Sequence, residues 1–214
     1  MHRIIAHIAG TRRMQNSNGR FSRALELAVA LAALVTSVTS IWLSLSQGDD
    51  MARLVQAQSW PYLEYESSNT GDNGAPVIDI MIRNAGVGPA KVESFSISYD
   101  GKPARGWTAL IALCCVPPET PRDQLDMPAL TDHKMISSKL ITRVLRASDS
   151  AILLHLPKTD VNAPLWNKLD DARFKFQLSI CYCSVFDECW VSDMRSTTQQ
   201  RVKNCPVDPV PYIE

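Results

Sequence analysis

The segment LAVALAALVTSVTSIWLSL, residues 27–45, decides how the rest of the chain is arranged. It contains no charge, no proline and no glycine, and its polar residues are only serine and threonine. Such hydroxyls bond to carbonyls of the preceding helical turn, so lipid tolerates them. Nineteen helical residues span about 28 Å, close to the roughly 30 Å hydrocarbon core of a bilayer. We therefore predict a transmembrane helix over residues 24–46, with Trp42 at the interface.

A buried core helix and a cleavable signal peptide are the two other interpretations of this segment. A helix buried in a soluble core usually carries a polar stripe, and this one has none. A cleavable signal peptide is the closer rival, because Ser44 and Ser46 provide small residues at plausible cleavage positions. Signal peptides usually have about 7–15 apolar residues and a shorter leader than this chain has. The pattern therefore favours an uncleaved anchor.

The charges on either side of the helix predict its orientation. Residues 1–23 have no acidic side chain. Five arginines lie there: Arg3, Arg12, Arg13, Arg20 and Arg23. Asp49, Asp50 and a single Arg53 follow the helix. By the positive-inside rule, residues 1–23 form a cytoplasmic tail and the larger part of the chain crosses a bacterial inner membrane. The lipid bilayer, through its anionic headgroups, is then a predicted partner of the tail.

The overall charge gives no reason to expect a nucleic-acid partner. The chain has 22 basic and 22 acidic side chains, and all the acidic ones lie after residue 23. Nucleic-acid binding needs clustered lysine and arginine to neutralise phosphates. We expect another protein, together with the bilayer, as the partner.

The hydrophobic pattern changes from helical to alternating at Pro61. Residues 47–60 predict a juxtamembrane helix or linker that proline ends. The segment VIDIMIRN, residues 77–84, alternates apolar and polar side chains, as does AKVESFSISY, residues 90–99. Six to eight such strands without regular βαβ alternation predict an immunoglobulin-like antiparallel β-sandwich with short helical connections. This mainly β domain is placed at residues 61–205, followed by a C-terminal tail at residues 206–214.

The clearest hairpin begins with RFKFQLSICYCSV, residues 173–185. Alternation places one set of its side chains in the core: Phe174, Phe176, Leu178, Ile180 and Tyr182. The opposite face then holds Arg173, Lys175, Gln177, Ser179, Cys181 and Cys183. The strand within ECWVSDMR, residues 188–195, returns after a turn around Phe186 and Asp187.

A glycine-containing segment, NAGVGPA, lies between two predicted strands at residues 84–90. It lacks the lysine of a phosphate-binding P-loop and the third glycine of a dinucleotide fingerprint, and a strand follows it rather than a helix. We therefore expect a turn or bulge that needs a positive φ angle at Gly86 or Gly88.

Three motifs together resemble a family of uncharacterised bacterial single-pass inner-membrane proteins with a small β-sandwich-like domain. They are QAQSWPYLEY, IRNAGVGPAKV and ICYCSVFDECW. The most specific parts are Trp60-Pro61-Tyr62 and the turn at residues 84–90. The resemblance extends from about residue 25 to residue 205 and implies the same architecture. It implies no activity, because none is established for the family.

The chain contains six cysteines, an even number. In an oxidising compartment disulfides are the expected state, and six cysteines allow 15 pairings. All six are candidates: Cys114, Cys115, Cys181, Cys183, Cys189 and Cys205. Cys183 and Cys189 flank a short turn, whereas Cys205 is within reach of either Cys181 or the vicinal pair.

Metal binding is the alternative role for these cysteines. Four thiolates, from Cys181, Cys183, Cys189 and Cys205, would hold zinc or copper, although the paired Cys-x-x-Cys knuckles of structural zinc sites are absent. A thiol redox role is the other possibility, again without the usual Cys-x-x-Cys motif. We predict disulfides as the main role, with no cofactor and no metal.

The sequence offers no catalytic constellation. It contains neither a Gly-x-Ser-x-Gly elbow nor a His-Glu-x-x-His helix. His133 lies in a polar loop and His155 in an apolar strand, where structural roles are far commoner than general-base catalysis. We expect no enzyme activity and no catalytic residue. The expected function is a membrane-anchored extracytoplasmic binding or assembly module, with metal or thiol handling as the alternative.

Overall fold

The computed structural model describes residues 5–121 and 125–213. The chain divides into two compact units, Met1–Val55 and Gln56–Glu214. Arg3 of the predicted basic tail and Glu214 of the predicted C-terminal tail lie outside the described residues.

The first unit is helical. Helix α1 runs over Ile5–Gln58, and its part Phe21–Gln58 is long and apolar enough to cross a membrane. Hydroxyl groups in this part bond back to the helix as expected: Ser37 Oγ donates to the carbonyl of Ala33 at 2.7 Å, and Ser40 Oγ to that of Thr36 at 2.7 Å. These bonds remove the polarity that would otherwise oppose an apolar environment.

The second unit contains two antiparallel sheets among the described residues. One has the strand order β1-β2-β7-β5, and the other the order β10-β9-β8-β3-β4 with β6 also on β3. The strands are β1 (Leu63–Thr70), β2 (Pro76–Asn84), β3 (Ala90–Tyr99), β4 (Lys102–Ala104), β5 (Ile136–Ser137), β6 (Val144–Leu145), β7 (Ser150–Pro157), β8 (Phe176–Cys183), β9 (Cys189–Ser192) and β10 (Gln200–Val202). The prediction of a mainly β domain behind one N-terminal helix is therefore confirmed.

The number of strands is larger than predicted. Six to eight were expected, and the described residues contain ten, because four of them have only two or three residues. A strand that short shows too few alternations to be recognised from its sequence.

Alternating side chains of the long strands form the core. In β2, Ile78, Ile80 and Ile82 are completely buried, while Arg83 of the same strand is exposed. Phe95 and Ile97 of β3, in the other sheet, belong to the same hydrophobic cluster. The two sheets therefore share one core, as layered β domains require.

In the described part of the chain, three short α-helices connect the strands and extend this core. They are α2 (Trp107–Cys114), α3 (Met127–Leu130) and α4 (Ala163–Ala172). Trp107 of α2 is completely buried, and Trp166 of α4 donates its indole N–H to the carbonyl of Leu156 at 3.1 Å. Trp166 and Leu169 of α4 are both buried.

The predicted start of the β8 alternation is wrong. Phe174 was expected in the core but is 73% exposed, and Arg173 was expected outside but is only 8% exposed. Residues Arg173–Lys175 form a short 3-10 turn that continues α4, and β8 begins at Phe176. The strand-like alternation of buried and exposed side chains therefore begins at Phe176 and does not include residues 173–175. Cys181 and Cys183, also expected on the outer face, are buried as well.

The predicted reason for the two glycines of residues 84–90 is also wrong. Neither Gly86 nor Gly88 has a positive φ angle, unlike Gly74 and Gly101. A Cβ atom at Gly88 would instead overlap the backbone of Ser59, and one at Gly86 the backbone around Tyr62. These positions need glycine because another part of the chain passes directly against them.

That part of the chain is the segment after α1, and Asn84 holds it. The peptide N–H groups of Val87 and Gly88 donate to the Trp60 carbonyl at 3.0 and 3.1 Å. Asn84 is completely buried. Its Oδ1 accepts from the backbone N–H of Tyr62 at 3.2 Å and from that of Gly86 at 3.0 Å. Its Nδ2 donates to the Gly88 carbonyl at 2.8 Å, and the carbonyls of residues 145 and 146 lie within 3.2 Å of it.

We expect Gly88→Ala to lower the free energy of unfolding by about 3 kcal/mol, because the added methyl group meets backbone that cannot rotate away. The measurement is urea unfolding of the full chain in detergent, followed by near-ultraviolet circular dichroism. Gly74→Asn is the matched control, since Gly74 has open space around it and Asn tolerates its positive φ. Equal stability of the two variants would contradict the close approach at Gly88.

Candidate functional site

The cysteines at the β8–β9 hairpin are the strongest candidate site. The backbone N–H of Ser184 donates to the carbonyl of Glu188 at 2.8 Å. The next pair of residues away from the turn, Cys183 and Cys189, is therefore a non-hydrogen-bonded pair. Such pairs bring Cα atoms closest, and the two Cα atoms lie 4.0 Å apart with a disulfide between them.

A second disulfide lies beside the first. Cys181 is bonded to Cys205, with a Cα–Cα distance of 5.7 Å, and this bridge joins β8 to the segment after β10. The sulfur of Cys205 is also 3.9 Å from that of Cys183. The three sulfurs of Cys183, Cys189 and Cys205 all lie within 4.8 Å of one another.

Polar contacts hold the turn that carries these bridges. Ser184 Oγ accepts from the backbone N–H of Phe186 at 3.2 Å, and Asp187 adopts a positive φ of 60°. Lys91 of β3 forms an ion pair with Asp187, and Arg201 forms one with Glu188. Phe186 itself is 54% exposed at the tip.

This arrangement determines what the cysteines can do. A thiolate is needed for metal binding or nucleophilic attack, and in a disulfide neither sulfur is a thiolate. In the described state the cluster therefore joins strands. Only after reduction would three or four sulfurs be available to a metal ion such as Zn²⁺, which prefers tetrahedral thiolate ligands.

The vicinal cysteines form a third bridge. Cys114 and Cys115 are bonded to each other at the end of α2, with Cα atoms 3.7 Å apart. Cys115 is buried, and its backbone N–H donates to the carbonyl of Ile111 at 2.9 Å. Cys205 therefore pairs with Cys181 and not with this pair, and no described cysteine is free.

The two histidines of the sheet domain occupy different settings. His155 Nδ1 lies 2.6 Å from a carboxylate oxygen of Asp79 on the neighbouring strand β2. Ser68 is paired with Asp79 on the other side, so the row across the sheet reads Ser, Asp, His. A Ser-His-Asp triad needs histidine between the other two. Moreover, Ser68 Oγ donates to the carbonyl of Thr70 at 2.8 Å. His133 is exposed, with a positive φ of 54°.

A groove beside β1 was not predicted from the sequence. Two cavities of about 210 and 160 Å³ open there, and both are lined by Tyr65, Met194 and Arg195. Arg173 lines the smaller one, with Nε 2.8 Å from Asp170 and Nη1 2.9 Å from Ser67 Oγ. The groove could not be recognised in the sequence, because its β1 residues lie more than 100 positions before its other lining residues.

Burial and backbone amides shift the pKa of several groups around this groove. Burial raises the pKa of the Tyr65 phenol, although Ser67 and Arg173 beside it act in the opposite direction. The backbone N–H groups of Ser196 and Arg195 hold the pKa of the Asp193 carboxyl below its usual value. Both shifts favour a neutral Tyr65 and an ionised Asp193 beside the groove at neutral pH.

The three bridges should contribute unequally to stability, since the entropy removed from the unfolded chain grows with the loop that a bridge closes. Replacing both Cys181 and Cys205 by alanine should lower the free energy of unfolding by roughly 3–4 kcal/mol. The Cys183 and Cys189 pair should give about 2 kcal/mol, and the vicinal pair the smallest change. Urea unfolding of the three double variants in detergent measures this order. A larger loss for the vicinal pair than for Cys181 and Cys205 would contradict it.

Comparison with known proteins gives one match. The family model described as "Domain of unknown function (DUF8453)" matches residues 25–185, which include most of the apolar helix and the strands up to β8. No curated protein and no solved structure matches the chain. The resemblance to a family without established activity is consistent with this result, whereas the bacterial and membrane origin of that family stays a prediction. Because the match covers well over half of its length, the chain belongs to the DUF8453 family.

Proposed function

We propose that this protein is a single-pass bacterial inner-membrane protein that holds a non-enzymatic binding or assembly domain outside the cytoplasm. The observation that carries the proposal is the pairing of all six cysteines, in the unit that follows an apolar helix long enough to span a membrane. Structural disulfides persist in oxidising compartments and are rare in the cytosol.

The distribution of charge supports the orientation. Residues 1–23, before the apolar segment, contain five arginines and no acidic residue, whereas Asp49 and Asp50 lie shortly after it. With this asymmetry the tail is retained in the cytoplasm and the sheet domain is exported. The charge asymmetry and the disulfides both support a domain outside the cytoplasm.

The order of the strands supports an immunoglobulin-like domain. The sheet β1-β2-β7-β5 follows the order A-B-E-D of that fold when its strands take those letters in chain order. The other sheet, β9-β8-β3-β4, then follows the order G-F-C-C′, with β10 added beyond G. Domains of this architecture commonly bind other proteins through their loops or their edge strands, although fold alone does not assign a function.

The contacts of His155 support a role without catalysis. Its Nδ1 is occupied by Asp79, and the hydroxyl on the other side of Asp79 bonds to its own strand. The pair therefore connects β2 to β7 on the outside of a sheet and has no nucleophile to activate.

We expect alkaline phosphatase fused to the C-terminus of the full chain to be active in bacterial cells, because the domain is exported. Green fluorescent protein at the same position should be dark. All six cysteines should resist alkylation by a membrane-permeant maleimide until a reductant is added. A matched control is the same fusion after five substitutions, Arg to Glu, in residues 1–23, which should lower the phosphatase activity.

Three results would contradict the proposal. One is a domain whose thiols react without reduction, and another is a domain in spheroplasts that externally added protease cannot reach. The third concerns the absence of catalysis. Turnover of any substrate in a hydrolase panel by the purified chain, abolished by His155→Ala, would show an enzyme.

Metal or thiol handling is the second candidate function, and it has one specific observation in its favour. The sulfurs of Cys183, Cys189 and Cys205 converge within 4.8 Å, a spacing that thiolates around one metal ion would also have. This function requires that the cluster be reduced in the cell.

If the second candidate is right, the full chain purified without oxygen should contain about one zinc or copper ion per chain and reactive thiols. Elemental analysis and thiol titration measure this directly. Cys205→Ser should lose the metal, whereas Cys114→Ser, at the distant vicinal pair, should keep it. Protein without metal and without free thiols would eliminate this function and leave the first.

A further inference from the structure

The outer edge of β1 is unpaired by any strand of the described residues. β1 stands first in its sheet and pairs only with β2. It has eight residues, Leu63–Thr70, and is longer than the other strands at the sheet edges of the described residues, β4, β5, β6 and β10. An edge of this length presents a row of backbone donors and acceptors to which another extended chain can pair.

The hydrogen bonds of Asn84 show which backbone groups face outward. Its backbone N–H donates to the Asp149 carbonyl at 2.9 Å, so the backbone of Asn84 points away from β1. Leu63 and Asn84 are therefore a non-hydrogen-bonded pair. The backbone N–H and C=O of Leu63 consequently point away from β2, toward the side of β1 that has no strand partner. By alternation Tyr65 and Ser67 also point there. The N–H of Leu63 donates to Tyr182 Oη at 3.4 Å, so the part of this edge without a strand partner is considered from Tyr65 onward.

The groove described above follows this edge. The larger cavity is lined by four consecutive residues, 62–65, and the smaller one by Tyr65 and Ser67. The opposite wall is formed by residues of the segment after β9, among them Met194 and Arg195. Tyr62 Oη donates to the Thr197 carbonyl at 3.1 Å and closes one end. The edge of β1 therefore forms one side of this groove, and the segment after β9 forms the other.

Charge indicates what can pair with this edge. Glu64 and Glu66 alternate with the core-facing residues and lie on the outer face of β1. Arg83 of β2 is 3.5 Å from Glu66. A second copy of the chain, paired antiparallel with Glu66 at the centre, would place Glu66 opposite its symmetry mate, and directly opposed like charges are destabilising. A strand with basic side chains at alternate positions has no such penalty and gains opposite-charge pairs.

We propose that the free edge of β1 receives an extended segment of a partner protein by antiparallel strand addition, with lysine or arginine side chains opposite Glu64 and Glu66. Backbone hydrogen bonds to Tyr65 and Ser67 give the affinity, and the two glutamates select the partner. The smaller side chains of the added strand face the groove between β1 and the segment after β9. This inference rests on the proposed binding function and identifies its surface.

The test uses the full chain in detergent and a fluorescent seven-residue peptide in which lysine alternates with valine and threonine. Fluorescence anisotropy should show binding that weakens as salt is raised. The same peptide with glutamate in place of lysine should bind at least tenfold more weakly. The lysine peptide with N-methylated backbone amides should also lose at least tenfold, because it cannot donate to the strand edge.

Variants of β1 test the same surface from the protein side. Ser67→Pro removes an outward N–H at an edge position where proline is tolerated, and should weaken binding at least tenfold. Its matched control, Ser67→Ala, keeps the N–H and should bind like the original chain. Charge reversal by Glu64→Lys with Glu66→Lys covers the case in which the proline variant fails to fold. It should reverse the preference between the two peptides, whereas Glu93→Lys in β3 should not.

Four outcomes would overturn this inference. They are no binding of the lysine peptide, equal binding of the N-methylated peptide, unchanged peptide preference after the double charge reversal, and a dimer of the full chain that Ser67→Pro dissociates. The last would assign the edge to a second copy. None of them bears on the phosphatase and alkylation results, so failure of this surface and failure of the proposed function remain distinguishable.

Discussion

The buried carboxamide of Asn84 is the interaction on which the second unit depends. It lies where three parts of the chain meet: the segment after α1, the turn between β2 and β3, and the end of β6. A buried backbone group without a partner costs about 1–3 kcal/mol, and Asn84 supplies partners to several at once. Neither a shorter nor a charged side chain could do this, because the site needs both an acceptor and a donor.

The need for glycine follows from the same contact. The carboxamide can reach the N–H of Tyr62 only if the two segments approach closely, and side chains at Gly86 and Gly88 would occupy that space. Trp60 and Pro61 lie in the segment after α1, which these contacts hold against the turn between β2 and β3. The sequence elements Trp60-Pro61-Tyr62 and residues 84–90, which are separate along the chain, therefore form one structural feature.

The disulfides strengthen the other sheet at its free end. Cys183–Cys189 closes the β8–β9 hairpin, and Cys181–Cys205 attaches the segment after β10 to β8. Edge strand β10 has only three residues and few ladder bonds of its own. Covalent attachment near it protects this edge, whereas the edge at β1 in the first sheet has no such cover. The edge at β10 is therefore covalently tethered and the edge at β1 is not, and the edge at β1 is the one at which we propose that a partner strand binds.

The sequence by itself determined the apolar helix, the long strands and the oxidisable cysteines, because each depends on local hydrophobic period, charge or composition. The alternation of Ile78, Ile80 and Ile82 predicts a strand from the local sequence alone. Only the tertiary structure decided the role of Gly86 and Gly88, the burial of Arg173, the choice of Cys181 as the partner of Cys205, and the groove beside β1. Each of these arises where distant segments meet, and no local pattern encodes which backbone will pass against a residue or which sulfur will come within bonding distance.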